Sequence, residues 1–517
     1  LWAQANDVTV TLTTDEPEVT IINGTESFEI PIIYQAGSYW NYDTPFQITT
    51  PDDTNIQEII VTVTITANQE TDYPYEISHD LVIYLAYEQS GWPYNINSAS
   101  NSSAALVDIY NNGNKQVVFG DYEGLLHVVN PDATEDAPFP VNVGGSIGSA
   151  IAVADINDDS YKDMVGVTES GTIFAVDHEG NDIFTPYTDG NQMKGNPIIA
   201  DVDGNGSLEI IVFTFVPASK AIVLNADGTD YPNFPVTLTS GGVLSSPAVG
   251  DLNSDGFLEI IAVSLTGAVY AISTNTGENI EGWPVAIGMN SWNGPIVTNI
   301  DEDEDPEVLA ATGNGNVFAF NHDGTVIFEK TTGSLIKTSI VTGDLDNNGS
   351  IDIVFITNPG DLYVIDNQGN DIGDFPFAIG ENVESTPILA DMDNNGTIDI
   401  IFGDNSGYLH SIDITGNETI NFPISLGSSL KISPAIGDID GDEDAEIVIP
   451  NQFAYVVIDY KRNVPNSNIA WSCFKRNPMR TGNAFDPTTG TSEQQAPNPI
   501  TFLGNNYPNP FNPSGAG

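Results

Sequence analysis

Short apolar runs alternate with turn residues along most of the chain. In residues 387–427 the runs read PILAD, IDIIFGD, YLHSID and FPISLG, and Gly, Asn and Asp separate them. Runs of this length that are rich in Ile, Val, Phe and Tyr are typical of β-strands. Because no stretch has a convincing helical period, the pattern predicts an all-β protein.

An internal repeat organises these runs. The segment PILADMDNNGTIDIIFG at residues 387–403 has relatives whose first Asp or Asn falls at 108, 155, 201, 251, 299, 344, 391 and 438, a spacing of 45–50 residues. An aromatic residue followed by proline marks most units, as at Trp92-Pro93, Trp283-Pro284 and Phe422-Pro423. Four strands in a unit of this length are the signature of a β-propeller blade.

The eight units predict an eight-bladed propeller over residues 90–485. The alternative is seven blades with a stray unit, because the first unit is the most degenerate. The sequence after Trp92 and the segment around Ile469–Phe474 are both candidate outer strands. We expect one of them to complete the blade that the other end of the repeat array begins.

The two ends of the chain lie outside the repeat. Residues 1–89 alternate strongly between apolar and polar positions, as in Val8–Leu12, Ile59–Ile65 and Leu81–Leu85, which predicts an immunoglobulin-like β-sandwich of about seven strands. Residues 486–499 are rich in Pro, Thr and Gln and are predicted to form a linker before residues 500–517.

Charge narrows the possible partners. The 72 Asp and Glu residues against 12 Lys and Arg give a formal net charge of −60, which disfavours nucleic acid and anionic lipid surfaces. No apolar run approaches the roughly 20 residues that span a bilayer. The single cysteine, Cys473, excludes an intramolecular disulfide and a cysteine-based zinc cluster.

The acidic element of each unit has metal-ligand spacing. Numbered from its first Asp or Asn, it carries oxygen side chains at positions 1, 3, 5 and 9, and position 7 can add its backbone carbonyl. The predicted ligands are Asp155, Asn157, Asp159, Tyr161 and Asp163; Asp201, Asp203, Asn205, Ser207 and Glu209; Asp251, Asn253, Asp255, Phe257 and Glu259; Asn299, Asp301, Asp303, Asp305 and Glu307; Asp344, Asp346, Asn348, Ser350 and Asp352; Asp391, Asp393, Asn395, Thr397 and Asp399; and Asp438, Asp440, Asp442, Asp444 and Glu446.

We predict about seven structural Ca²⁺ sites from this pattern. Polar β-turns would also use Asp, Asn and Gly, but 28 of the 72 acidic residues fall within these seven loops, and carboxylates so close together repel unless a cation neutralises them. Magnesium is disfavoured because it prefers a stricter octahedron. The first unit has Tyr110 at position 3 and Gln116 at position 9, so we expect Asp108 to bind no metal.

The loops, the proline four residues before position 1, and the pairs Phe119-Gly120 and Phe402-Gly403 resemble FG-GAP/VCBS repeats, the calcium-binding blades also found in integrin α-subunits. Residues 471–482 are similar to a Trp…Phe…Thr-Gly ending common after such arrays in bacterial secreted proteins. Residues 502–514 resemble the opening of the C-terminal sorting domain of type IX secretion substrates, which implies contact with that secretion machinery and a signal truncated at residue 517.

No catalytic constellation stands out. The histidines His127 and His410 fall at equivalent places in third strands, which favours blade packing over catalysis. Five cations, Lys461, Arg462, Lys475, Arg476 and Arg480, lie near the end of the array, where they either offset local negative charge or form a patch for an anionic glycan.

The pattern favours a monomeric, secreted or cell-surface, calcium-stabilised propeller that binds a glycan or an extracellular protein without catalysis. One alternative is a polysaccharide lyase, because some lyases are also calcium-bearing propellers with an added sandwich. Another alternative is the non-catalytic C-terminal region of a larger secreted protease. The sequence leaves open the ligand, the binding face and the presence of an upstream catalytic domain.

Overall fold

The computed structural model describes residues 4–484 apart from positions 18, 23–26, 35–46, 50–57, 69–70, 72–73, 85–87, 217–218, 240, 290, 293, 302, 304, 420, 443, 461–463 and 465–468. The predicted linker 486–499 and sorting signal 500–517 lie outside these residues, as do Lys461 and Arg462. The described residues form strands and turns without a helix. The chain divides into two compact units, residues 1–87 and residues 88–517.

The first unit contains two antiparallel sheets in its described part. The four-stranded sheet has the order β3-β1-β5-β6 and the other pairs β2 with β4. The strands are β1 (Gln4–Thr14), β2 (Thr20–Ile22), β3 (Ser27–Tyr34), β4 (Gln47–Thr49), β5 (Glu58–Ala67) and β6 (Tyr75–Tyr84). Leu12, Val19, Ile59 and Val61 form its buried cluster.

The second unit contains eight antiparallel sheets among its described residues, one for each repeat, and we number them sheet 1 to sheet 8 in chain order. Their strands are β8 (Ala105–Val107), β9 (Gln116–Gly120), β10 (Leu125–Val129) and β11 (Val141–Asn142) in sheet 1; β12 (Ala152–Ala154), β13 (Asp163–Val167), β14 (Thr172–Val176) and β15 (Tyr187–Thr188) in sheet 2; β16 (Ile198–Ala200), β17 (Glu209–Phe213), β18 (Lys220–Leu224) and β19 (Val236–Thr237) in sheet 3; and β20 (Ala248–Gly250), β21 (Glu259–Val263), β22 (Ala268–Ser273) and β23 (Val285–Ala286) in sheet 4.

The later sheets follow the same order from first to fourth strand. Their strands are β24 (Ile296–Thr298), β25 (Glu307–Ala311), β26 (Asn316–Phe320) and β27 (Val326–Thr331) in sheet 5; β28 (Val341–Gly343), β29 (Asp352–Ile356), β30 (Asp361–Ile365) and β31 (Phe377–Ala378) in sheet 6; β32 (Ile388–Ala390), β33 (Asp399–Gly403), β34 (Tyr408–Ile412), β35 (Ile424–Ser425) and the late strand β39 (Ile469–Trp471) in sheet 7; and β36 (Ala435–Gly437), β37 (Glu446–Pro450), β38 (Ala454–Asp459) and the early strand β7 (Tyr94–Asn95) in sheet 8.

The cores lie between the faces of consecutive sheets. Successive residues of a second strand enter different cores: Val118 packs with residues of sheet 2, and Val117 packs with residues of sheet 8 such as Val448. Both faces of these strands are therefore buried, which explains why the second strands read as continuous apolar runs rather than as alternating ones. The aromatic residues that precede proline pack into the same cores, as the buried Trp92 and Trp283 show.

Two strands come from outside their own repeat. Strand β7, which follows Trp92-Pro93, pairs with β38 and gives sheet 8 its fourth strand. This confirms that one end of the array completes the blade of the other. The other candidate, the segment around Ile469–Phe474, does not form an outer strand, because β39 pairs with β32, the first strand of sheet 7.

Residues 469–484, which we call the terminal segment, lie along the first strands of the sheets. Carbonyls of Pro478, Met479, Thr481 and Gly482 accept hydrogen bonds from the amides of Val153, Ile199, Val249 and Val297, which belong to sheets 2, 3, 4 and 5. The carbonyl of Ser472 accepts from Ile436 of sheet 8, and β39 also contacts β28 of sheet 6. The segment therefore provides backbone acceptors for strands that are only three residues long.

The cations of the terminal segment are buried, so they do not form the anionic-glycan patch that was one interpretation of the sequence. Arg480 donates to the carbonyls of Ser103, Ala104, Ile151 and Phe474, which ties sheets 1 and 2 to the segment. Lys475 donates from Nζ to the carbonyl of Pro295, and Arg476 stacks over Trp471. Backbone carbonyls rather than a ligand thus satisfy these charges.

We expect Arg480→Met to lower the free energy of unfolding by about 3 kcal/mol or more, because it leaves several buried carbonyls without a donor. Urea unfolding followed by intrinsic fluorescence measures the change. Lys330→Met is the matched control, since Lys330 lies on the fourth strand of sheet 5, where it pairs with Asp371 and lies over the ring of Tyr363. Equal stability of the two variants would contradict the structural role of Arg480.

Candidate functional site

The predicted metal loops join the first and second strands of the sheets. Position 1 follows the first strand directly, and position 9 is the first residue of the second strand in all eight units, as for Glu209 in β17 and Asp399 in β33. The loop is thus held at both ends by the ladder of its own sheet. Because the first strand ends just before position 1 and the second strand begins at position 9, the same spacing recurs in every repeat.

One backbone hydrogen bond is common to all the loops. The position 9 side chain accepts from the backbone N–H of position 2, over 2.6–3.0 Å. Because this contact closes the turn across its base, the position 9 carboxylate is drawn into the protein and is at most 2 % exposed in the seven acidic loops.

The remaining loop carboxylates are oriented by backbone amides. In the loops that begin at Asp155, Asp201, Asp251, Asp344 and Asp391, the two oxygens of position 1 accept from the amides of positions 5 and 6. Position 6 has a positive φ in each of these loops, which is why four of them carry glycine there. The amide of position 7 donates to the position 5 side chain in all seven acidic loops.

This geometry brings carboxylates of positions 1, 3 and 9 together. Their oxygens lie within 4.8 Å of one another in Asp201/Asp203/Glu209, Asp344/Asp346/Asp352, Asp391/Asp393/Asp399 and Asp438/Asp440/Glu446. In the loop that begins at Asn299, the group is Asp301, Asp303 and Glu307. These clusters are compatible with a bound metal ion.

Burial has a strong effect on the position 9 carboxyls. It raises their pKa, the position 2 hydrogen bond offsets part of the rise, and neighbouring carboxylates add to it. The pKa reaches about 7 for Asp163 and Asp352, about 8 for Glu209, Glu259, Glu307 and Asp399, and about 9 for Glu446. A cation next to these oxygens would restore the charged form at neutral pH.

Several oxygens in the clusters lack a protein donor. Within the described part of the chain, Oε1 of Glu307, Oδ1 of Asp399 and Oε1 of Glu446 are buried without a hydrogen-bond partner, as is Oδ1 of Asp440. Buried polar atoms in folded proteins are normally satisfied, so these oxygens are open to a ligand other than the protein. The donor set of carboxylate, amide and carbonyl oxygens suits a hard divalent cation.

The loops differ in detail. In the loop that begins at Asn299, Nδ2 of that residue donates to the carbonyl of Asp303, and in the last loop Oδ1 of Asp438 accepts from Gly441. Neighbouring side chains also reach the clusters: Oη of Tyr231 donates to Asp203 and Nε2 of Gln89 donates to Asp440. The sequence pattern alone did not indicate these additional contacts, because the residues lie outside the loops.

The first loop has the same turn geometry as the others but lacks the full set of predicted metal ligands. Asp108 accepts from the amides of Asn112 and Gly113, and Gln116 accepts from Ile109, as in the acidic loops. The turn therefore forms with a neutral side chain at position 9. The Asp or Asn at position 3 and the carboxylate at position 9 are the features that distinguish the other loops.

The histidines of the third strands are held by acidic neighbours within single sheets. His410 lies between Asp404 and Glu418, at 3.3 and 2.6 Å, and stacks on Phe402. His127 has the same arrangement with Asp121, Glu135 and Phe119. Burial lowers the pKa of His410, but the hydrogen bonds with its two carboxylates outweigh this and raise the pKa to about 9.

Comparisons with known proteins agree with the repeat and the fold. A family model described as an FG-GAP-like repeat matches residues 201–262, which include the loop from Asp201 to Glu209 and the next one. No curated protein sequence matches the chain. In the described residues there is no helix with the length and apolar character needed to cross a membrane.

Two solved structures have a similar, propeller-like fold. The biofilm matrix protein Bap1 of V. cholerae is 13 % identical over 78 % of this chain and 96 % of its own, with a TM-score of 0.55. Sqt1 of Saccharomyces cerevisiae is 12 % identical over 72 % of this chain and 99 % of its own, with a TM-score of 0.51. The chain therefore contains an FG-GAP-like repeat within an all-β, propeller-like fold.

We expect Glu209→Gln to reduce the stability gained from Ca²⁺ by about 1.4 kcal/mol. This is the mass-action contribution of one site when the Ca²⁺ concentration is about ten times its dissociation constant. Gln116 shows that an amide can keep the position 2 hydrogen bond. With chelator, the variant should therefore be at least as stable as the parent, because a buried acid has been removed. Denaturant unfolding with Ca²⁺ and with chelator gives both values.

Glu179→Gln is the matched control for this experiment, since it removes the same charge from an exposed turn outside the metal loops. Its Ca²⁺-dependent stabilisation should equal that of the parent protein. An equal response of Glu209→Gln and Glu179→Gln to Ca²⁺ would contradict metal binding at Glu209.

The raised pKa of His410 predicts a pH dependence. A group whose folded-state pKa lies above its ordinary value of 6.5 stabilises the fold fully below that value, and loses the contribution as the pH rises through about 9. His410→Gln should therefore cost on the order of 2 kcal/mol at pH 6 and much less at pH 10. Unfolding midpoints across this range measure the difference, with the exposed His79→Gln as control. A cost that does not change with pH would contradict the charged pair.

Proposed function

We propose that the chain is a calcium-stabilised, eight-bladed β-propeller that acts outside the cell as a non-catalytic binding module. Its ligand would be a glycan or an extracellular protein. The observation that carries the calcium part is the buried position 9 carboxylate, which has one oxygen on a backbone amide and, in several loops, the other oxygen without a partner. The ligand sets would be the seven groups predicted at positions 1, 3, 5, 7 and 9.

Closure into a ring of eight blades is supported by equivalent contacts between neighbouring sheets. The position 8 amide donates to the position 2 carbonyl of the preceding loop, from Lys162 to Ile109 and from Leu258 to Val202. The same bond runs from Lys115 of sheet 1 to Ile439 of sheet 8. First strands of neighbouring sheets also touch, including β36 and β8. The residues 1–89 would form the accompanying sandwich.

Calcium would have a structural role. A site with a dissociation constant of roughly 0.1 mM in about 1 mM calcium gains about 1.4 kcal/mol. Seven such sites would contribute on the order of 10 kcal/mol, comparable to the whole stability of a domain. The ion would hold each turn between the first two strands, and no chemical step requires it.

A binding role without catalysis is supported by the environment of the titratable groups. His127 and His410 are buried and held by carboxylates of their own sheets. Lys475 and Arg480 are buried against backbone carbonyls. A lyase would need an accessible base beside the bound uronate, and these four groups are buried. Location outside the cell is part of the proposal and rests on the resemblance of residues 502–514 to a type IX sorting signal.

Immobilised polysaccharides test the proposal. We expect the calcium-loaded protein to be retained without generating the ultraviolet absorbance of an unsaturated uronide, and retention should decline with chelator as the propeller loosens. Absorbance that grows with time would overturn the non-catalytic role and favour a lyase. Loss of both signals would direct the search to a protein ligand, tested by capture on extracellular matrix protein.

A further inference from the structure

Eight equivalent residues face solvent at the start of the repeats. Seven places before position 1, the units carry Asn101, Gly148, Lys194, Leu244, Trp292, Lys337, Glu384 and Lys431, which we call the mouth ring. Each of them is exposed or half-buried, while the residue before it is buried in all eight units. The regular change from buried to exposed or half-buried places these eight positions at the surface, just before the first strands.

Neighbouring members of the mouth ring are close together. Oε1 of Glu384 lies 3.1 Å from Nζ of Lys337 and 3.5 Å from Nζ of Lys431, although 47 residues separate each pair. Side chains of three consecutive sheets therefore meet at this level. Since blades diverge towards their outer strands, such contacts place the ring near the centre.

The terminal segment lies beneath part of the mouth ring. Lys475 of the terminal segment donates to the carbonyl of Pro295, three residues after Trp292. A side chain at Gly294 would collide with Lys475. The terminal segment thus fills the space beneath this part of the mouth ring.

The mouth ring combines an open aromatic face with positive charge. Trp292 is 52 % exposed, whereas Trp92, Trp283 and Trp471 are buried. Three of the 12 cations of the chain lie in the ring, and one of them, Lys194, pairs with Glu169. Lys337 and Lys431 share a single carboxylate, which leaves one positive charge of this trio uncompensated. An indole face stacks against the apolar side of a sugar ring, and ammonium groups pair with acidic substituents.

We propose that the mouth ring binds an acidic oligosaccharide, with one sugar stacked on Trp292 and a carboxylate of the glycan paired with Lys337 and Lys431. The inference rests on the proposed binding function and assigns its face and ligand class. The net charge of −60 repels an acidic glycan from the remaining surface, which limits contact to this patch. Binding at the patch is still possible because that repulsion is screened beyond about 8 Å at physiological ionic strength. The metal loops follow the first strands and the ring precedes them, so the two sites lie at opposite strand ends.

The test is a titration of calcium-loaded protein with oligogalacturonate and with an uncharged dextran oligosaccharide of similar length. Trp292→Ala should weaken oligogalacturonate binding at least tenfold. The double variant Lys337→Gln and Lys431→Gln should have a similar effect, and Glu384→Gln should strengthen binding several-fold by removing the competing carboxylate. All these variants should keep the parent melting temperature with calcium.

Matched controls lie away from the ring. Lys330→Gln removes a paired lysine and Val326→Ala an exposed apolar side chain from the fourth strand of sheet 5, and both should bind like the parent. If the three ring variants bound oligogalacturonate with the affinity of the parent protein, the assignment of the binding face would be overturned, while the binding function would remain intact. Equal affinity for dextran would overturn the acidic ligand class. Absence of binding to both oligosaccharides would overturn the inference and a glycan ligand together.

Discussion

The hydrogen bond from the position 2 amide to the position 9 side chain shapes each blade of this protein. It closes the turn, sets the residue at which the second strand begins, and draws a carboxylate into a buried position in seven of eight loops. Gln116 makes the same bond without charge, so the backbone does not need the metal to adopt this path. In the seven acidic loops, burial next to other acids disfavours the ionised form of the position 9 carboxyl, and a cation would restore it. The metal dependence that we propose would therefore be a consequence of how the turn is closed.

The terminal segment meets a second requirement of the fold. The first strands have only three residues each, and one edge of each strand has no neighbour from its own repeat. Carbonyls of residues 472–482 supply acceptors to several of these strands, and Arg480 joins two of the sheets. A single piece of chain thereby links sheets that are otherwise distant in sequence. Backbone carbonyls accept the hydrogen bonds of its buried Lys475 and Arg480.

The residue types at equivalent positions of the repeats vary little at one end of the first strands and widely at the other end. At the end that carries the predicted metal loops, similar oxygen side chains recur from unit to unit, since each loop must satisfy the same backbone amides. At the mouth end, residues as different as Trp292, Gly148 and Glu384 occupy one structural position. Equivalent positions that differ in chemistry are suited to recognition, because the shared backbone imposes no side chain there. Stability and recognition can thus be separated along strands about 10 Å long.

Much of this organisation follows from local sequence. The repeat, the absence of helical periodicity, the loop spacing and the degenerate first loop are features of short segments, and turn chemistry and strand alternation act over such distances. Tertiary structure decided the rest. The pairing of β39 with β32 depends on a contact across about 80 residues, and the burial of Lys475 and Arg480 depends on carbonyls more than 170 residues away. Likewise, Lys337, Glu384 and Lys431 form one cluster only because neighbouring sheets bring them together. Strand pattern specifies which residues form a sheet, but the packing of one sheet on the next determines which charges meet.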